Sequence, residues 1–117
     1  MKTSKKHFEL FRQTFLEWAH KFGFAHWDLY VLHENDDDTF ANIRPDPANC
    51  MATIKFCRDW ENGVRKISDD EIRLVAKHEA MHLLLSPVMY EARLRYTKSD
   101  SIEDREEEVV QKLEKLV

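Results

Sequence analysis

Ser68-Asp69-Asp70-Glu71-Ile72-Arg73-Leu74-Val75-Ala76-Lys77-His78-Glu79-Ala80-Met81-His82-Leu83-Leu84-Leu85-Ser86-Pro87 is the stretch on which the reading turns. Ser68 has the N-cap chemistry of a helix, and Glu71 stands three residues on, where a capping box places its reciprocal partner. Asp69 and Asp70 suit the positive end of the dipole, and Pro87 is expected to close the helix near residue 86. Within it, Ile72, Leu74, Val75, Ala76, Ala80, Met81, Leu83, Leu84 and Leu85 cover most of the circumference of the second half, which marks a buried central helix. His78 and His82 lie four apart. At about 3.6 residues per turn they project from one face, so both imidazoles reach one metal ion. Two histidines and a glutamate inside a buried helix are costly to desolvate without partners, and a metal satisfies them together. Glu79, about 100° round the helix, sits beside such an ion. There it can take the proton of a water that the metal activates and pass it to a leaving amine.

A catalytic zinc takes a third protein ligand and leaves one position for water. Candidates lie downstream. Ser101 reads as the N-cap of a last helix running to Val117, with Glu103 and Asp104 in its first turn. Its apolar stripe is Ile102, Val109, Val110, Leu113, Leu116 and Val117. Successive rotations of about 100° put Glu106 near the centre of that stripe, Glu103 toward its margin, Glu107 well off it and Glu108 opposite. A carboxylate centred on a buried stripe needs a partner, so Glu106 is the expected third ligand, with Glu103 and Glu107 as substitutes.

His-Glu-Ala-Met-His followed by Leu-Leu-Leu, a short connection with Arg95-Tyr96, and a helix containing Glu106-Glu107-Glu108-Val109-Val110-Gln111-Lys112-Leu113 resemble the small metallopeptidases of phages and bacteria, which are similar to the minigluzincins. The resemblance covers about residues 51 to 117. It implies a gluzincin zinc site of His78, His82 and Glu106, with Glu79 as general base. Larger thermolysin-like gluzincins carry an aspartate four residues after the ligand glutamate to orient a histidine; here that position is Val110. The resemblance also implies an edge strand over the metal cleft that holds substrate backbone, which falls to Met51 to Phe56. Tyr96, between the two ligand helices, is a candidate donor to the oxyanion of the tetrahedral intermediate.

The rest of the chain must form the scaffold. Its 117 residues suit one domain, and 43% hydrophobic and 34% charged residues with only two glycines suit a helix-rich protein. A formal net charge of −4 argues against a nucleic-acid surface. Lys2 to Lys6 precede no apolar run, and no stretch approaches 18 apolar residues, so a cytoplasmic protein without membrane insertion is expected. Phe8, Phe11, Phe15, Trp18 and Phe22 recur at three and four, giving a helix over about residues 5 to 22 with a buried aromatic stripe, stopped by Gly23. Trp27 to His33 reads as a strand, Glu34 to Asp38 as an acidic hairpin turn, and Thr39 to Arg44 as its partner, broken by Pro45 and Pro47. Cys50 to Asp59 reads as a third strand, with Asn62-Gly63 turning toward the motif helix. Cys50 and Cys57, an odd seven apart on one strand, cannot bridge and are expected as buried thiols. His7, His20, His26 and His33 have no ligand spacing among themselves.

The order predicts an α+β, zincin-like domain: an N-terminal helix, a small three-stranded sheet, the HExxH helix and a C-terminal ligand helix, with helices on one face of the sheet. The function this implies is zinc-dependent hydrolysis of a peptide or protein. The alternative is a zinc-stabilised interaction module without chemistry, for which Glu79 has no use.

Overall fold

The computed structural model describes residues 2–35, 40–60, 67–94 and 99–117. Helix α1 (Lys5–Lys21) leads into strands β1 (Asp28–His33), β2 (Ala41–Asp46) and β3 (Met51–Phe56), then helices α2 (Asp69–Arg93) and α3 (Ser99–Glu114). This is the expected architecture: an N-terminal helix, a three-stranded sheet, and two C-terminal helices bearing the His/Glu cluster.

Ser4 caps α1 by accepting from the His7 N–H, and His7 Nδ1 accepts in return from the Ser4 N–H, a capping box completed by an imidazole. The aromatic stripe faces inward: Phe11 and Phe15 are fully buried, while Phe8, Trp18 and Phe22 pack at the margin of the core. Along β3, Ala52, Ile54 and Phe56 are buried on alternate positions and meet the helices. Phe11 stacks on Phe56 with ring centroids 4.7 Å apart, joining α1 to the sheet. Each such side chain contributes about 1.5–3 kcal/mol by leaving water. Among the described residues, no helix is long and apolar enough to cross a membrane.

The strand order corrects the hairpin reading. It is β1-β3-β2, with β1 parallel and β2 antiparallel to β3. β1 and β2 do not pair. The Glu34 N–H donates to the Phe56 carbonyl, and the Cys57 N–H to the Phe40 carbonyl, so the two ends of the 34–40 connection straddle the end of β3. The most apolar strand takes the centre, where both edges and one face are covered. Pro45 lies inside β2 instead of breaking it, which an edge strand tolerates because one side of its backbone faces away from the sheet. Central β3 is therefore paired on both sides, whereas β2 pairs with a strand on one side only among the described residues. The third strand is also shorter than expected. Cys50 precedes it, exposed and left-handed at φ 50°, and Cys57 follows it, buried; neither is in a disulfide. Part of the acidic turn and Asn62-Gly63 lie outside the described residues.

α2 does not stop at Pro87 but continues to Arg93. Proline removes the N–H that would donate to the carbonyl four residues back, that of Leu83. The buried Ser86 hydroxyl supplies the missing donor, reaching the Leu83 carbonyl at 2.7 Å. Ser68 caps the other end by accepting from the Glu71 N–H. α3 begins at Ser99, two residues before the expected cap, and runs antiparallel to α2: Arg93 meets Glu103, His82 meets Glu106, and His78 meets Glu114.

Candidate metal centre

His78 and His82 project one turn apart from α2 toward α3, and their Nε2 atoms stand 3.2 Å apart. Glu107 reaches both: one carboxylate oxygen lies 3.4 Å from His78 Nε2 and the other 3.2 Å from His82 Nε2. These three residues each offer a ligand atom, all within 4.8 Å of one another. Ligands held about 2.0–2.1 Å from a tetrahedral ion stand about 3.3 Å from each other, so the observed separations match the edges of such a polyhedron. The cluster is able to coordinate a divalent metal.

The opposite ring nitrogens are also engaged. His82 Nδ1 lies 3.0 Å from a Glu106 oxygen, and His78 Nδ1 meets Glu114. With Nδ1–H donating to a carboxylate, each ring presents the Nε2 lone pair to the cluster. Glu106, the ligand expected from helix phase, is thus placed on the far side of His82, and Glu107 on the converging side. Burial separates the two: the Glu106 side chain is 14% exposed against 43% for Glu107. The centre of the stripe is where packing occurs, whereas the ligand cleft opens on its flank, roughly 100° round the helix, within reach of a glutamate. Val109, Leu116 and Val117, counted into the expected stripe, are exposed. Glu103 pairs with Arg93 at 3.5 Å, and Glu108 with Arg105 and Lys112 on the solvent face. Tyr96 lies outside the described residues.

Glu79 is buried against this cluster, and burial pushes its carboxyl up to about 8 in the metal-free chain. The neighbouring His82 charge opposes the rise, while Glu107, Glu106 and Glu114 add to it. His82 is raised overall: burial, the largest influence, lowers it, but the Glu106 hydrogen bond and the surrounding carboxylates outweigh that. A divalent cation among these groups reverses the sign, drawing protons off.

Two openings meet at Glu79. A cleft of about 470 Å³ is lined by β2 and by His82, Ser86, Tyr90, Arg93 and Glu103. A smaller, about 280 Å³, is lined by Phe40, Leu74, His78 and Glu114. Tyr90 and Arg93 were hidden from the sequence reading by the stop assigned to Pro87. The signal for Arg93 is in the periodicity, since residues 82, 86, 89 and 93 continue one face at steps of four, three and four. Glu114 carried no signal beyond its one-turn steps from Glu106 through Val110.

Comparison with protein-family models, with curated proteins and with solved structures matches the chain to none of them. The site geometry therefore carries the functional argument.

Proposed function

We propose that the chain is a zinc-dependent peptidase of gluzincin type, acting on a peptide or protein as a single cytoplasmic domain. The observation that carries this reading is the buried Glu79 carboxyl beside two Nε2 atoms and a Glu107 carboxylate spaced as ligands of one ion. His78, His82 and Glu107 hold the metal in this proposal, with Glu106 moved from the third ligand to the partner that sets the His82 ring. The two imidazoles and one carboxylate match the donor set of hydrolytic zinc, and leave room for water. When bound, zinc supplies polarisation of a substrate carbonyl and activation of water near neutral pH.

The chain's own residues do the rest. Glu79 accepts the proton of the attacking water and delivers it to the amine that leaves, so one carboxylate serves both halves of the reaction. The outer edge of β2, which has no second strand beside it among the described residues and lines the larger cleft, offers backbone donors and acceptors to an extended peptide. Tyr96, which follows α2 in the chain, is retained as the candidate donor to the developing oxyanion.

Zinc-loaded parent and Glu79→Gln proteins should be incubated with a mixed peptide library read by mass spectrometry. The parent should cleave and Glu79→Gln should keep zinc but lose at least about 100-fold in rate. Equal activity would remove Glu79 as the base. Two inactive, zinc-loaded proteins would favour an interaction module over an enzyme.

A further inference from the structure

Glu114 is neither a metal ligand nor the general base, yet it occupies Nδ1 of His78. It lies at the last turn of α3, on the row Ile102, Glu106, Val110, Glu114 that runs along α2 at one-turn steps. Ile102 and Val110 are buried on that row, and its two carboxylates each take one histidine. The turn is also anchored independently of the histidine. Lys77, the residue before His78, donates from Nζ to the carbonyl of Val117 at 3.0 Å and toward that of Glu114 at 3.4 Å. Backbone and side chain of the same turn are thereby tied to neighbouring residues of α2.

We infer that Glu114 is a positioning residue for His78: from the end of α3 it accepts the Nδ1–H, fixes the ring and turns Nε2 to the metal. This rests on the reading of the site as a metal centre. Glu114, seven residues past Glu107 at the end of α3, brings its carboxylate to His78 Nδ1 on the side away from the cluster. Without it His78 keeps its place on α2 but is free to rotate and to exchange tautomers, so a fraction of molecules presents Nδ1–H geometry unsuited to the cluster. The effect acts on affinity for the metal before any substrate is present.

The test measures zinc affinity by competition with a chromophoric chelator, on the full chain. Glu114→Ala should weaken zinc by about 10–100-fold, the cost of removing such a partner. Glu114→Gln, whose amide oxygen still accepts from Nδ1–H, should recover most of the loss. Leu113→Ala is the packing control: it trims a half-buried side chain of the same turn while leaving Glu114 in place, and should lower the metal-free melting temperature with much less effect on zinc. Cobalt-substituted Glu114→Ala should show a visible spectrum broadened relative to the parent, reporting a mobile ligand. Unchanged affinity in Glu114→Ala, or equal weakening by Leu113→Ala and Glu114→Ala, overturns the inference while leaving the metal centre intact. A parent that binds no zinc overturns both.

Discussion

Replacing Ser86 by alanine removes the side-chain donor to the Leu83 carbonyl, whose usual helical donor is missing because residue 87 is proline and has no N–H. Ser86 is buried, so the lost bond leaves a buried acceptor unpaired, at a cost of about 1–3 kcal/mol. Taking about 2 kcal/mol for a chain of this size lowers Tm by about 8 °C. The assay is chemical denaturation of metal-free protein for the full cycle of parent, Ser86→Ala, Pro87→Ala and the double variant. In the Pro87→Ala background a backbone N–H is restored to the Leu83 carbonyl, and the serine should then matter by less than about 0.5 kcal/mol. The two substitutions should therefore couple by about 1.5 kcal/mol. Additivity within about 0.3–0.5 kcal/mol would refute the reasoning and show that Ser86 does not compensate for the proline.

The stability of the metal-free protein should fall as pH rises from about 4.5 toward about 8, because folded Glu79 holds its proton up to about 8 whereas the unfolded chain releases it near 4.5. That contribution is complete below the unfolded value and lost through the folded one; Glu79→Gln should flatten the slope in denaturation curves taken across this window. If Glu107 is the third ligand, Glu107→Ala should weaken zinc more than Glu106→Ala, and Glu103→Ala should change it little. Chelator competition reads the order directly, and an inverted order returns Glu106 to the metal.

Local signals were legible where one residue type had one use. The cap at Ser68, the aromatic stripe of α1 and the i, i+4 histidines all translate directly into backbone and side-chain placement, and all are where periodicity put them. Strand pairing was not legible, because which of three short strands takes the centre depends on how their faces meet the helices, not on their order in the chain. The same holds for Pro87, whose usual meaning is cancelled by a hydroxyl one residue away. Helix phase found that α3 turns carboxylates toward the histidines and chose Glu106 over Glu107, whereas Glu107 is the one grouped with both Nε2 atoms and Glu106 lies against His82 Nδ1. That choice depends on which flank of α3 faces the cleft, a property of the α2–α3 packing. Glu114 needed both helices to be in place.

Zinc content after loading and gel filtration, measured by elemental analysis, shows whether one metal is held between α2 and α3. One zinc per chain is expected in the parent and almost none in the variant carrying both His78→Ala and His82→Ala. Equal zinc in the two proteins would contradict it.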